Sequence, residues 1–468
     1  FVDKEHLGIF GHSTGALNAI RVAKLNPDHK AVNGQSSNAG DPSLNNYLLT
    51  QGLFEEIGGY REKSFPVKEL VKNENRLKAF SLSDNETLEW NHTYGNFTDG
   101  SARRAALVDG THLGVMISEH TNKEAILWFN QALQDGIQDA NWIDPDKQTY
   151  WYKEFAGLLA LFSAIISALF LANHLLHKAY FSTVTQVPSN QVPLSKEKWF
   201  VLAIINIIVT IILYPIFTQW GGANEPIASV LSFMPLEMGN GIILWLFVSA
   251  VVNYLFFFLW IRNKKNLLRE FGVLSNDQVI TTTQVVYRYF VLACILVGYL
   301  YAIASFVHTY WNVELRFLWP LLKPLTTERF NLFPIYWLLI LLFFFSFNGL
   351  IVTVQMRMRQ TESFMATWFS WSIKTIFFAV SGLIILWLLH FIPDFMQIGP
   401  GFDLVGLPQF GGRWMMMLAV IIPQFIIFII INHWCYLKTG YIYLGVFFTS
   451  MLMAWIMVGG QVIGRFLA

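Results

Sequence analysis

The chain has 468 residues, 54% of them hydrophobic and only 13% charged, with a mean hydropathy of +0.43. Lys and Arg (32) almost balance Asp and Glu (31), for a net charge of +1, so the basic footprint that nucleic-acid binding requires is lacking. Most charges fall before residue 150 and most long apolar runs after it, which marks a soluble-type segment joined to a membrane segment. Cys294 and Cys435 both lie in or at the end of apolar runs and suggest neither a disulfide framework nor a cysteine-based metal site. Phosphate-loop, dinucleotide-binding and zincin patterns are absent, so no cofactor and no metal is expected.

In chain order, Leu7-Gly8-Ile9-Phe10 reads as a short buried strand, and Gly11-His12-Ser13-Thr14-Gly15 is a Gly-x-Ser-x-Gly turn. Ala16 to Ala23 then has helical spacing. Gly11 and Gly15 let the backbone crowd through a strained strand-to-helix turn that pushes Ser13 into the open. The helix N-terminus lies beneath the position where negative charge would develop on a reacting group. This strand, turn and helix, with Val2-Asp3-Lys4-Glu5-His6 as lead-in, resembles the nucleophile elbow of the α/β-hydrolase superfamily over about residues 1–137. The resemblance implies a parallel sheet with flanking helices and a nucleophile, acid and histidine in that chain order. It also implies that the backbone N–H of Thr14 is one half of an oxyanion hole. Several strands and the loop with the second oxyanion amide precede the elbow in that fold. Only a handful of residues precede it here, so the chain is expected to hold the C-terminal half of such a domain and to be nearly inactive by itself.

After the elbow helix, Asn26-Pro27-Asp28-His29 makes a turn and Lys30 to Gln35 reads as the next parallel strand. Residues 41–78 are polar, with short amphipathic pieces at Tyr47-Leu48-Leu49 and Leu53 to Ile57, and read either as a cap over the pocket or as a solvated helical connection. Leu77 to Leu82 is a candidate strand delivering the acid, which makes Asp84 the first choice and Glu86 the second. Ala102 to Val108 reads as the last strand, followed by Asp109-Gly110-Thr111-His112 and a helix from Asn122 to Leu133 with Ile126, Phe129 and Leu133 on one face. The superfamily places its histidine in the loop after the last strand, so the resemblance makes His112 the general base for Ser13. An imidazole suits that role because it exchanges a proton near neutral pH. His12, in the variable elbow position, is expected to pack or to contact substrate.

From Trp151 onward, eight apolar runs approach the ~20 residues that cross a bilayer as a helix. They lie at roughly 155–176, 199–218, 240–261, 287–308, 332–354, 370–392, 414–434 and 441–463. Residues 1–140 are thus read as the partial α/β-hydrolase domain, 141–154 as a linker and 155–468 as an all-α membrane domain in contact with the lipid bilayer. Pro215 and Pro423 predict kinks. Trp199, Trp220, Trp260, Trp311, Trp368, Trp371, Trp414 and Trp434 read as an interfacial belt, and His174, His308, His390 and His433 as snorkelling groups near span ends. No Asp or Glu sits at the centre of a span, which disfavours coupled ion transport. Lys178, Lys196, Arg262, Lys264, Lys265, Arg269 and Arg357 fall in loops on one side. The opposite loops and tail carry few cations, among them Arg316, Arg413 and Arg465. The positive-inside rule then places the N-terminal domain outside the cytoplasm. Together these readings anticipate a multi-pass membrane-anchored serine hydrolase acting on an ester, thioester or amide of a small or lipid-like acyl substrate. The alternative is a transporter or sensor with a non-catalytic hydrolase-like domain.

Overall fold

Short apolar stretches with little alternation, the mark of strands covered on both faces, build a five-stranded sheet near the N-terminus. In the computed structural model β1 (Gly8–His12), β2 (Ala31–Gln35), β3 (Tyr47–Phe54), β4 (Thr93–Tyr94) and β5 (Arg103–Thr111) pair in the order β1-β2-β3-β5-β4. The first four in that order run parallel, and β4 joins β5 antiparallel. The structure describes all residues except 1–2, 4–5, 38–39, 63–64, 84, 223–232, 265 and 465–468. Val2, Lys4, Glu5, Asp84, Lys265 and Arg465, all named above, lie outside the described residues. The chain divides into two units: a sheet unit of Phe1–Trp151 with Trp387–Met417, and a helical unit of Tyr152–Leu386 with Leu418–Ala468.

Two expectations are corrected within the sheet. Residues 41–78 are not a single polar connection: they contain β3, whose Tyr47 to Gly52 are buried in the middle of the sheet, and among the described residues only the part from Val67 on is helical. The polar Thr50 and Gln51 break the apolar run and disguise the strand. Residues 77–82 form no strand, because Glu74–Ala79 is a helix (α2) whose N-terminus is capped by the Asn73 side chain accepting from Asn75 N–H at 2.9 Å. Its Leu77 and Ala79, with Phe80, pack in a core with Ile20, Val32, Tyr47, Leu49 and Ala105.

On the other face Leu48, Ala106, Val108 and Val115 meet Trp128 of helix α3 (Glu119–Gln134). Phe129 and Leu133 are partly buried, but Ile126 is 40% exposed, so the buried stripe of α3 is rotated towards Trp128 from the one expected. Trp128 also donates its indole N–H to the carbonyl of Asn46 at 2.8 Å, satisfying the one polar atom of a buried ring. Helix α1 (Thr14–Leu25) buries Ala16, Ala19, Ile20 and Ala23. Among the described strands β1 lies at one edge of the sheet, and Phe10 on it is 67% exposed.

Among the described residues, eight helices are long and apolar enough to cross a membrane, as a multi-pass integral membrane protein requires. They are α4 (Tyr150–Leu176), α5 (Lys196–Trp220), α6 (Gly239–Ile261), α7 (Thr282–Trp311), α8 (Thr327–Gln355), α9 (Phe364–Phe395), α10 (Pro408–Thr439) and α11 (Tyr443–Gly460). On α4 the exposed Phe155, Leu159, Phe162, Ile166 and Phe170 recur every three or four residues, an apolar stripe suited to lipid. α11 is buried almost throughout. Asn206 donates to the carbonyl of Phe378 at 3.1 Å, the interhelical tie expected of a polar group in such a bundle.

Some details depart from the sequence reading. His433 is buried rather than snorkelling, between Ser372 Oγ (3.3 Å) and Thr375 Oγ1 (3.4 Å), and His390 is also buried. Trp371, Trp414 and Trp434 are core residues, whereas Trp220 and Trp311 are exposed as belt residues should be. A short hairpin, β6 (Leu315–Phe317) and β7 (Trp319–Leu322), and the wide π-turns of Phe345–Gln355 were not anticipated.

The packing of Trp128 yields a stability prediction. Trp128→Ala removes a buried ring and its hydrogen bond to the Asn46 carbonyl, which keeps the one from Val32 N–H at 3.1 Å, at a cost of about 3–5 kcal/mol. Faster proteolysis of the sheet unit in the full chain measures this, and resistance equal to wild type would contradict it.

Candidate active site

The turn between β1 and α1 is strained where the sequence places its serine. Ser13 has φ 58° and ψ −128°, a conformation an L-residue adopts only when its surroundings enforce it. The enforcing contacts are the Ser13 N–H donating to Gln35 O of β2 at 2.9 Å and the Ser13 carbonyl accepting from Ala16 N–H at 2.9 Å. Of the two motif glycines only Gly11 is sterically required: a Cβ there would stand 2.2 Å from Gly15 O, whereas one on Gly15 would meet nothing within 4 Å. The crowding is therefore one-sided, with the backbone of Gly15 pressing on Gly11.

Three polar side chains follow directly on the C-terminal ends of three parallel strands: Ser13 after β1, Glu55 after β3 and His112 after β5. That edge of a parallel sheet is where α/β proteins hold their ligands. His112, 1% exposed, has Nε2 2.8 Å from Ser13 Oγ and Nδ1 2.8 Å from Glu55 Oε1. With the carboxylate taking the Nδ1 proton, Nε2 is left to accept from the serine hydroxyl.

The structure thus brings together Ser13 and His112, and among the described residues the acid beside His112 is Glu55, not Glu86. Glu86 accepts from Ser83 N–H and Oγ at 2.7 and 2.8 Å on the exposed surface, and Asp84 lies outside the described residues. The correction has a simple cause: residues 77–82 are helix and turn, so no strand end there carries a carboxylate inward. The available signal was an acidic residue immediately after an apolar run, the same position that Ser13 and His112 hold on their strands.

Every polar atom of His112 is engaged. Its N–H donates to Glu56 Oε2 at 2.7 Å, and its carbonyl oxygen accepts from His12 Nε2 at 2.7 Å. His12 therefore packs beneath the site, as one branch of the sequence reading had it. Burial, then the neighbouring His112, depress its pKa to about 4, so it stays a neutral donor.

The adjacent carboxyls Glu55 and Glu56 are driven apart by their surroundings. Burial works against a charge on Glu55, but the facing His112 and the hydrogen bonds from it and from Ile57 N–H (3.2 Å) outweigh burial and hold this carboxyl below its ordinary range. Burial and then the charge of Glu55 push Glu56 well above the ordinary range, and its Oε1 has no hydrogen-bond partner among the described residues. A neutral Glu56 beside an ionised Glu55 follows.

Tyr60, which nothing in the sequence singled out, covers the pair. Its ring stacks on the His112 imidazole with centroids 5.0 Å apart and planes 11° off parallel, and its hydroxyl lies 3.2 Å from Ser13 Oγ and 3.4 Å from Thr14 Oγ1. Among the described residues no group of three or more His, Cys, Asp or Glu could hold a metal ion. A serine, an imidazole and an ionised carboxylate in hydrogen-bonded sequence can raise the nucleophilicity of the serine and store its proton. In comparisons with protein-family models, curated proteins and solved structures, the chain has no match.

Two predictions follow from these contacts. Gly11→Ala forces apart the backbones of Gly11 and Gly15 and prevents the sheet unit from folding, while Gly15→Ala, which opens no clash and favours helix α1, leaves it folded. Limited proteolysis of both variants decides, and equal behaviour would contradict the one-sided crowding.

The second concerns pH. With its pKa raised on folding, Glu56 contributes most favourably below the ordinary Glu value of about 4.3, and that contribution is lost as pH rises through the folded value. Glu56→Gln keeps an acceptor for His112 N–H but cannot ionise. Its thermal stability relative to wild type should therefore climb as pH rises above the ordinary Glu value, and a flat or falling difference would contradict a neutral Glu56.

Proposed function

We propose that the chain is a membrane-anchored serine hydrolase of the α/β-hydrolase type that cleaves an ester, thioester or amide. The observation that carries this reading is the unbroken hydrogen-bonded run from strained Ser13 through His112 to the buried Glu55. Ser13 Oγ attacks the acyl carbonyl while His112 Nε2 takes its proton; Glu55 fixes the tautomer of His112 and stabilises the imidazolium. His112 then returns the proton to the leaving group, and water, activated by the same nitrogen, releases the acyl group from Ser13. Thr14 opens helix α1, where the first N–H groups have no partner inside the helix, so its amide is available to the oxyanion. The order nucleophile, acid, histidine along the chain agrees with the superfamily pattern once Glu55 takes the acid's place. A domain that only bound ligand would have no need of a strained serine or of a histidine with every polar atom engaged.

Orientation belongs to the same proposal. The cation-rich loops holding Lys178, Lys196, Arg262, Lys264 and Arg357 face the cytoplasm and the sheet unit faces outward. Among the described residues six apolar helices, an even number, run from Tyr150 to Phe395, which returns the chain to the side where it began. Residues 387–417 can thus complete the sheet unit, a path that supports the alternation of loops used in this argument.

Hydrolysis of a panel of short and long acyl esters by the full chain tests the chemistry. Ser13→Ala should abolish turnover, Glu55→Gln should lower it by on the order of 10⁴-fold, and Glu86→Gln should leave it unchanged. Turnover that survives Ser13→Ala would end the proposal. For orientation, a cysteine placed at Lys264 should resist an impermeant thiol reagent in intact cells, and rapid labelling there would invert the topology.

A further inference from the structure

We infer that Tyr60 is a catalytic residue whose phenolic hydroxyl supplies a second hydrogen bond to the oxyanion formed when Ser13 attacks an acyl carbonyl. The inference rests on the hydrolase reading and adds to it a second donor beside the Thr14 amide.

Proton bookkeeping assigns the direction of the contact. A serine hydroxyl has one proton, and for His112 to act as base that proton must point to Nε2, 2.8 Å away. The 3.2 Å contact between Tyr60 and Ser13 has the geometry of Ser13 Oγ donating to the phenol oxygen, so the serine proton can face either Tyr60 or His112, and once it turns to Nε2 only the tyrosine's proton can make this contact. The phenol then donates towards Oγ as the serine proton passes to His112. Its 3.4 Å approach to Thr14 Oγ1 places it on the side of the residue whose backbone amide is the other donor.

When Oγ bonds to the carbonyl carbon, the π pair of the C=O moves onto oxygen and the Oγ proton passes to His112 Nε2. The negative charge thus develops two bonds from the atom that Tyr60 already faces, on the same tetrahedral carbon, and a rotation of the O–H turns its proton to the oxyanion. Collapse returns that pair to the carbonyl and expels the leaving group with the proton from His112, so Tyr60 gives up no proton and is unchanged at the end of each half-reaction.

The ring is held for this task. It lies flat on the imidazole, and an aromatic face favours the imidazolium that forms as the proton arrives. The turn that carries Tyr60 is closed by its own N–H donating to Ile57 O at 3.0 Å, and its carbonyl accepts from Arg76 Nη2 at 3.2 Å. Arg61, the next residue, is buried and pairs with Asp403 in the 387–417 segment of the same unit. Substrate contacts alone do not call for so much anchoring, but a donor aimed at a transient charge does, since a preorganised hydrogen bond loses its value when it must be reoriented.

Tyr60→Phe isolates the hydroxyl, because the ring can stay stacked on His112. The full chain carrying it should lose about 10²–10³-fold in kcat on the best acyl ester with KM little changed. Its affinity for a trifluoromethyl ketone, which forms an oxyanion adduct with the serine, should fall by a similar factor. Tyr60→Phe turnover within about twofold of wild type, with unchanged ketone affinity, overturns the inference while leaving the hydrolase reading intact. A wild-type chain whose turnover does not depend on Ser13 overturns both.

Discussion

A carboxylate with no access to water must be matched by a partner, and the site is arranged around that requirement at Glu55. Glu55 is fully buried, and the hydrogen bond from His112 at 2.8 Å, with that from Ile57 N–H, keeps it ionised. To bring the two together the ends of β3 and β5 must approach closely. Gly52 makes this possible, since a Cβ there would stand 2.5 Å from Gly110 O, and the pairing of β3 with β5 slips in register between Gly52 and Phe54. The slip delivers Glu55 to the imidazole. Glu56, one residue on, then accepts from the backbone of the same histidine and has to be neutral, because two adjacent buried charges would not both be tolerated. Two consecutive glutamates thus hold opposite protonation states by virtue of position alone.

How much could be read in advance depended on whether the information was local. Ser13 was legible because strand, turn and helix follow each other within a few residues, and His112 because it closes the last strand of a recognisable order. Glu55 was not, because its role is set by a partner 57 residues away and its strand carries Thr50 and Gln51 among its leucines. Polar residues inside a strand covered on both faces look like a loop until their partners are known. Tyr60 had no local signal at all: a turn places it, and the face of His112 gives it meaning. The eight spans were legible because hydropathy sums over twenty residues, but the burial of Trp371, Trp414 and His433 was not, since a tryptophan or histidine near a span end looks the same whether it meets headgroups or other helices.

The boundary between the two parts of the chain shows the same limit. Composition changes near residue 150, and a division at that point is what the sequence suggests, but Trp387–Met417 belongs to the sheet unit although it joins two apolar helices. Within that unit Phe395 meets Phe54 edge-on at 5.3 Å, beside the strand end that carries Glu55, and Asp403 pairs with Arg61 beside Tyr60. Residues from a connection between apolar helices therefore buttress the turn around the candidate active site. Charge and hydropathy could not have shown this, because Asp403 reads as one more polar residue in a short loop.

The central claim is that Ser13 is a nucleophile activated by His112, and covalent capture tests it most directly. After exposure of the full chain to a fluorophosphonate, peptide mass mapping should find one adduct, on the peptide carrying Ser13, and none when His112 is replaced by alanine. An adduct on a different residue, or a Ser13 that reacts equally well without His112, would contradict the account.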